Sequence, residues 1–188
     1  MTEKAKTQER SDKDLPKEIE KLSHRAAKLD KSLPLRMRAK SGVEQGILSA
    51  VAAVAAYLPP HYFGLREGFW GSITAISVVQ TAPEAARNNG RDQCIGSAVG
   101  GLIGVAVVFM TGSTLWSYIL AVVLSVFACW CLNVVSTTRL AAITATIILL
   151  VPHTTTPEHM LVSRLSEVAW GVAVALAVIW VRQRFLKP

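Results

Sequence analysis

The stretch GFWGSITAISVVQTAPEAARNNGRDQCIGSAVGG, residues 68–101, begins like a membrane helix, but its apolar run is short and ends at a proline. Polar side chains interrupt the run from Phe69 to Ala82, and a polar hairpin with two arginines separates it from a glycine-rich apolar run. An interrupted helix leaves backbone groups without partners, which hydrocarbon does not tolerate. The segment is therefore expected to be buried in protein or to face a watery cavity.

Long apolar runs fill most of the chain beyond residue 40. The 188 residues are 51% hydrophobic and 18% charged, with a mean hydropathy of +0.37. A helix that spans a bilayer needs about 20 apolar residues, because the hydrocarbon is about 30 Å thick and a helix rises about 1.5 Å per residue. The sequence predicts an all-α integral membrane protein with six transmembrane segments. These are Val43–Leu58, Phe69–Ala82, Cys94–Gly112, Leu115–Val135, Leu140–Val151 and Leu165–Val181.

The first 40 residues form a separate, highly charged region, with twelve Lys or Arg and seven Asp or Glu. We predict a cytoplasmic tail over residues 1–40 and a membrane domain over residues 41–188. An apolar stripe predicts an amphipathic helix over residues 14–33 of the tail, either on the inner leaflet or paired with another subunit. Its anchors to anionic lipids are expected at Arg36, Arg38 and Lys40.

The distribution of basic residues predicts the orientation. With six crossings and the N-terminus inside, eighteen Lys and Arg lie on the inner side and only Arg66 and Arg164 lie in outer segments. Because inner loops carry the excess of positive charge, both termini are expected in the cytoplasm. The pI of about 9.6 then reflects topology, and no folded basic domain remains to bind nucleic acid.

Two stretches of the chain resemble each other. Ile73-Thr74-Ala75 and Ile143-Thr144-Ala145 each precede a proline, a polar stretch and an arginine that opens the next apolar helix, Arg91 or Arg164. Three crossings per half place the halves in opposite orientations, so the sequence predicts two inverted three-helix repeats. Short, proline-interrupted segments at matching positions of such repeats indicate a transporter's substrate site.

The candidate substrate pathway combines the two arginines with polar residues of the short segments. An arginine at a helix N-terminus favours an anion there. The alternatives stay open: Arg91 as an inner-surface anchor, Arg164 neutralised by Glu167, and hydroxyls bonded within their own helix. The pathway residues predicted are Arg91, Arg164, Thr74, Ser77, Gln80, Thr81, Thr144 and Glu167.

Glycines at four-residue spacing predict close helix packing in the third segment, within the bundle or across a dimer. They are Gly96, Gly100 and Gly104. The sequence shows no metal-ligand spacing, no cofactor motif and no nucleophile–base pair. We therefore expect no enzyme, no metal and no cofactor.

The motifs FWGSITAISVVQTAP, Arg91 with IGSAVGGLIG, and Arg164 with RLSEVAWGVAVAL resemble the membrane domain of the fusaric acid resistance and aromatic acid exporter proteins. That group includes the plant aluminium-activated malate transporters. The resemblance covers residues 38–185. It implies a homodimeric bacterial inner-membrane transporter for small organic anions, often aromatic carboxylates. The alternatives are a passive anion channel of the same architecture and a non-transporting membrane scaffold or subunit.

Overall fold

The structure is a computed structural model that describes residues 34–63, 68–151 and 156–185. The regular elements in these ranges are helices: α1 (Leu35–Tyr62), α2 (Phe69–Val78), α3 (Pro83–Thr111), α4 (Leu115–Cys131), a 3₁₀ turn (Val135–Thr137), α5 (Thr138–Leu150) and α6 (Pro157–Phe185). Each predicted apolar segment overlaps one helix, so the all-α prediction is confirmed for the described residues. The amphipathic helix predicted over residues 14–33 lies outside them.

Three of these helices, α1, α3 and α6, are long and apolar enough to cross a membrane. The helices α2, α4 and α5 are apolar but shorter, and the ten residues of α2 extend for only about 15 Å. Large apolar side chains face outward, and Phe109, Trp130 and Trp180 are each more than 60% exposed. Such a surface is unfavourable in water and favourable in hydrocarbon. The six crossings remain a prediction.

The basic residues expected to hold anionic lipids lie at the start of α1, which begins directly after Pro34. They are Arg36, Arg38 and Lys40, and all three are exposed. By its internal contacts the chain divides after Val43. Every contact described below lies within Glu44–Pro188.

Two helices start earlier than the sequence predicts. The polar segment expected to form a hairpin is instead the beginning of α3, so Arg91 is the ninth residue of that helix, and Arg164 is the eighth residue of α6. A proline suits the first helical position and an acid suits the first turn, and both helices begin with Pro-Glu. The prediction that the two arginines stand at helix N-termini is therefore wrong.

Small residues bring the helix backbones together in the interior. The glycine stripe of α3 faces α5: a Cβ on Gly100 would overlap the carbonyl oxygen of Ala141, and one on Gly96 would lie 2.6 Å from the Cβ of Leu140. A Cβ on Gly104 would lie 3.4 Å from the Cα of Ala145. Without such side chains the two helices approach closely enough for extensive van der Waals contact.

The short helix α2 packs on α6 in a similar way. A Cβ on Gly171 would lie 2.5 Å from the carbonyl oxygen of Gly71 and 2.8 Å from the Cβ of Thr74. The end of α1 is held at the same place. Pro60 has no N–H for the carbonyl of Ala56, and the indole Nε1 of Trp170 on α6 donates to that oxygen at 3.0 Å.

Candidate functional site

A charged residue interrupts the buried face of α6. That face is a stripe at three- and four-residue spacing: Met160, Arg164, Val168, Gly171, Ala175 and Ile179. Arg164 is only 8% exposed, although its neighbours in the stripe are apolar or small. Charged groups inside a membrane domain are unfavourable unless they are paired or functional, so this arginine is the strongest candidate for a site.

The guanidinium of Arg164 contacts α2 and its own helix. Its Cζ lies 4.6 Å from the ring centroid of Trp70, in cation–π geometry. Its Nη1 lies 3.6 Å from Oε2 of Glu167, one turn along α6. The Oγ of Ser163 donates to the other carboxylate oxygen of Glu167 at 3.2 Å. Arg164 is thus placed between an indole face and a nearby carboxylate.

Two nitrogens of Arg164 make no hydrogen bond to any residue that the structure describes. Nε and Nη1 are both buried, and Nη1 forms an ion pair with Oε2 of Glu167 at 3.6 Å, which is longer than a hydrogen bond. A buried donor without an acceptor is unfavourable by about 1–3 kcal/mol, and more when it is charged. A guanidinium presents its N–H groups as a planar fork that matches the two oxygens of a carboxylate. The arrangement is therefore suited to bind a carboxylate.

Arg91 has a different environment. It is exposed on α3, as is Arg87 one turn earlier. The helix dipole acts within the first turn, and the ninth residue is beyond its reach. The two arginines that the sequence pairs are therefore not equivalent: Arg164 is inside the bundle and Arg91 is on its surface.

The predicted pathway residues of the second apolar segment do not all lie on one helix. Thr74 is buried against α6, and Ser77 is exposed, where its Oγ donates to the carbonyl of Thr74 and accepts from Gln93 of α3 at 2.7 Å. The helix ends at Val78, so Gln80 and Thr81 lie in the extended link to α3. Thr81 is therefore not on the helix that carries Thr74 and Ser77, because that helix is shorter than the predicted segment Phe69–Ala82.

Thr144 lies in the interior between α5 and α3. Its Oγ1 donates to the carbonyl of Leu140 at 3.0 Å and lies 3.5 Å from the Oγ of Ser97. It contributes a packing contact between these two helices. Among the described residues no group of three or more His, Cys, Asp or Glu is placed to hold a metal ion.

Side chains from two other helices satisfy the backbone at the end of α2. The amide of Gln45 on α1 donates to the carbonyl of Val79 at 2.9 Å and accepts from the N–H of Thr81 at 3.1 Å. Nη1 of Arg182 on α6 donates to the carbonyl of Thr81 at 2.8 Å, and Nη2 pairs with Glu44. The backbone that the interrupted helix leaves unpaired therefore bonds to protein.

Gln45 and Arg182 belong to this site, although the sequence motifs do not indicate them. Arg182 follows Arg164 by 18 residues, which is five helical turns, so both arginines lie on one face of α6. Arg164 contacts Trp70 at the start of α2, and Arg182 contacts Thr81 in the link that follows α2. This spacing was visible in the sequence and could have identified the second arginine.

A comparison with known protein families identifies the family of the chain. The model of a family described as fusaric acid resistance protein-like matches residues 51–178. The chain belongs to this family. The resemblance that the sequence motifs carry is thereby confirmed, and the protein is a multi-pass membrane protein of a transport family. No curated protein and no solved structure matches the chain significantly.

The family match includes the whole of α2 together with Arg164. Trp70 and Arg164 lie inside the matched range of this fusaric acid resistance protein-like chain, whereas Gln45 and Arg182 lie outside it. The cation–π contact is thus within the part shared with the family. The bonds of Gln45 and Arg182 to the link after α2 are a feature of this chain that the match does not cover.

Replacing Arg182 tests the role of those bonds in this family member. We expect Arg182→Ala to lower the unfolding free energy by about 1–2 kcal/mol, because the Thr81 carbonyl loses its donor. Thermal unfolding in detergent measures the change. Arg184→Ala removes the same charge from an exposed position of the same helix and is the matched control. Equal melting temperatures for the two variants would show that the link needs no such partner.

Proposed function

We propose that the protein exports small organic anions, with aromatic carboxylates as the favoured class, and that Arg164 binds the carboxylate in transit. The observation that carries the proposal is the buried guanidinium whose Nε and Nη1 make no hydrogen bond within residues 34–63, 68–151 and 156–185. A carboxylate supplies two acceptors in the plane of the fork. An inorganic cation would be repelled by the same charge.

The surroundings of Arg164 favour a ligand with an apolar body. Trp70 contributes an indole face against the guanidinium. An aromatic ring gains from contact with such apolar and aromatic surface once it leaves water. The family description names resistance to an acid, which agrees with this class of ligand.

The position of Glu167 favours reversible binding. Its carboxylate lies 3.6 Å from Nη1, close enough to attract the guanidinium but too far for a hydrogen bond. A substrate carboxylate can therefore bond to the fork while Glu167 continues to balance part of the charge. When the substrate leaves, Glu167 remains to stabilise the cation. A transporter needs this balance because binding that is too tight slows release.

We also retain the inverted repeat as part of the proposal, in a corrected register. Gly100 of α3 packs on Ala141 of α5, and Gly171 of α6 packs on Gly71 of α2. Matching these two contacts aligns α3 with α6 at an offset of 71 residues and α2 with α5 at an offset of 70 residues. In this register Arg164 corresponds to Gln93 and not to Arg91. The substrate-binding arginine is then a feature of one repeat alone.

The remaining pathway candidates have lesser roles in the proposal. Exposed Arg91 attracts anions to the inner end, where Gln80 and Thr81 are half-buried beside the start of α3. The predicted orientation places both termini in the cytoplasm and Arg164 towards the outer side of a bacterial inner membrane. Export by a homodimer remains our expectation, since six helices of which three are short enclose little volume alone.

Flux into liposomes tests the proposed function. Phthalate is a suitable probe because its two carboxylates keep it charged near neutral pH, and trimethylphenylammonium is a matched aromatic cation. We expect saturable phthalate flux above that of protein-free liposomes and no flux of the cation. Phthalate flux at the level of empty liposomes, or equal flux of both probes, would contradict the proposal.

Electrical recording separates an exporter from a passive channel of the same architecture. We expect no unitary currents from the reconstituted protein in phthalate solutions, because each transport cycle of a carrier moves few charges. Stepwise currents of picoampere size would identify a channel. That outcome would preserve anion selectivity and Arg164 as its source while it overturned export by a transport cycle.

A further inference from the structure

The C-terminal part of α6 carries a second guanidinium that is paired with a carboxylate. Arg182 lies five turns after Arg164 on the same face, about 27 Å further along the helix axis. Its Nη2 pairs with Oε1 of Glu44 on α1, and its Nη1 donates to the carbonyl of Thr81 at 2.8 Å. Arg164 likewise pairs with Glu167, so both arginines of this face have an acid as an ionic partner.

The ion pair at Arg182 is open to solvent, unlike the one at Arg164. The side chains of Arg182 and Glu44 are 25% and 41% exposed, whereas those of Arg164 and Glu167 are 9% and 13% exposed. An ion pair that reaches water contributes little to stability, because the solvent screens it and both side chains lose freedom. Glu44 can therefore leave Arg182 and be solvated at little cost.

The carbonyl of Thr81 orients the guanidinium of Arg182 independently of Glu44. The amide of Gln45 fixes the link that carries this carbonyl, because it donates to the carbonyl of Val79 and accepts from the N–H of Thr81. When Glu44 leaves, the bond from Nη1 to Thr81 remains. Nη2 then still points to the position that the carboxylate has vacated, and a donor that is already oriented binds a new acceptor at a lower entropic cost.

We infer that Arg182 is a docking site for the carboxylate of the substrate, and that the substrate binds there by displacing Glu44. The inference rests on the proposed function, from which it takes the ligand. A substrate carboxylate has the charge and the two oxygens of the Glu44 side chain, so it forms the same charge-assisted bond to Nη2. With both termini in the cytoplasm, the site lies on the cytoplasmic side, where an exporter takes up its substrate.

The bond to Thr81 distinguishes Arg182 from the exposed arginines near it in sequence or on the same side. Arg91 and Arg184 are exposed, and neither side chain has a hydrogen bond or an ion pair within the residues that the structure describes. They attract anions by charge alone, whereas Arg182 presents an oriented donor.

Glu44 has a role of its own in this arrangement, which is to keep docking weak. The apparent affinity of a site falls in proportion to the fraction of time for which it is free to bind. Because Glu44 occupies Arg182 in the absence of substrate, it lowers the apparent affinity for an incoming carboxylate. Weak binding at Arg182 allows the substrate to leave for Arg164.

Equilibrium binding of radiolabelled phthalate in an uncharged detergent tests the inference. The background is Arg164→Ala, which removes the other proposed site, and saturable binding should remain in it. Adding Glu44→Gln should strengthen this binding at least about threefold, because glutamine keeps the shape of the side chain but does not compete as an anion. Adding Arg182→Lys instead should weaken it at least about threefold, because lysine lacks the planar fork.

Glu84→Gln is the matched control, since it removes an acid from an exposed position in the first turn of α3. At about 0.15 M salt, where charges are screened beyond about 8 Å, it should leave the affinity nearly unchanged. An equal gain for Glu84→Gln and Glu44→Gln would show an effect of net charge alone and would overturn the inference. Unchanged or weaker binding in a Glu44→Gln variant that gel filtration shows to be folded would overturn it too, as would a complete lack of saturable binding in the Arg164→Ala background.

Flux into phosphatidylcholine liposomes, which carry no net charge, separates failure of the docking site from failure of the proposed function. In the chain with Arg164 intact, Glu44→Gln should lower the half-saturating concentration of phthalate. An unchanged half-saturating concentration, with flux retained, would refute docking at Arg182 and leave the proposed function in place. Absence of phthalate flux from the parent chain would instead contradict the proposed function, whatever the variants bind in detergent.

Discussion

Phthalate flux in liposomes is expected to fall by at least about tenfold when Arg164 is replaced by alanine. Hydrogen bonds to charged groups contribute about 1.5–3 kcal/mol, and each 1.4 kcal/mol corresponds to a factor of ten. Arg164→Lys keeps the charge but loses the planar fork, so its flux should be intermediate. The measurement is the initial rate at a phthalate concentration below half-saturation.

Two exposed arginines provide controls for this loss. Arg184→Ala removes a charge from the same helix, and its flux should stay within about twofold of the parent protein. Arg91→Ala should raise the half-saturating concentration at low salt, with the effect shrinking at high salt as screening increases. Gel filtration of each variant verifies folding. Parent-like flux in a folded Arg164→Ala variant would remove the basis of the proposed binding site.

Gly100→Ala is expected to have the largest effect on stability. The added Cβ would overlap the carbonyl oxygen of Ala141, and a backbone atom of a packed helix cannot move aside without separating α3 from α5. Overpacking of this kind is unfavourable by about 1–3 kcal/mol or more, which exceeds the gain of about 1 kcal/mol that alanine brings to a helix. Thermal unfolding in detergent should therefore show a clearly lower melting temperature.

Gly46→Ala makes the same substitution where nothing lies within 4 Å of the added Cβ. Here only the helix propensity changes, so the melting temperature should rise slightly or stay the same. The opposite signs of the two variants separate packing from propensity. A Gly100→Ala protein as stable as the parent would mean that α3 and α5 are farther apart than described.

The hydropathy pattern predicts where the helices lie but not the residues at which they begin. An apolar run marks the part of a helix that suits hydrocarbon, whereas α3 and α6 begin with polar turns that carry no hydropathy signal. The Pro-Glu pairs at Pro83 and Pro157 are start signals for a helix, but in the hydropathy pattern Pro83 only ends an apolar run and Pro157 lies in a polar stretch. For this reason Arg91 and Arg164 were placed at helix N-termini that the structure locates two turns earlier.

The short length of α2 was predictable, and the way its end is satisfied was not. Polar residues and Pro83 indicated an early stop, and membrane chemistry requires partners for the freed backbone groups. Those partners, Gln45 and Arg182, come from helices 34 and 101 residues away in sequence. The 18-residue spacing places Arg182 on the face of α6 that carries Arg164, but a single sequence does not show which backbone groups Arg182 and Gln45 bond to.

The difference in burial between Arg164 and Arg91 could not be predicted from the sequence. The resemblance between the halves aligned Arg91 with Arg164, but helix packing is governed by which small residues face which backbone. Gly100 and Gly171 occupy matching positions in the two packed helix pairs. When these glycines are aligned, Arg91 and Arg164 are out of register by two residues, which is more than half a turn of helix. Two residues were enough to place one guanidinium inside and the other outside.

The most direct test of the central claim is the location of a bound anion. A crystal structure or a cryo-EM map of the protein with 4-bromophthalate would locate the ligand. In crystals the anomalous signal of bromine would identify it. We predict a carboxylate within about 3 Å of Nε or Nη1 of Arg164, beside Trp70, and its loss in Arg164→Ala. An anion that occupies another part of the protein, with those two nitrogens still lacking an acceptor, would contradict the account.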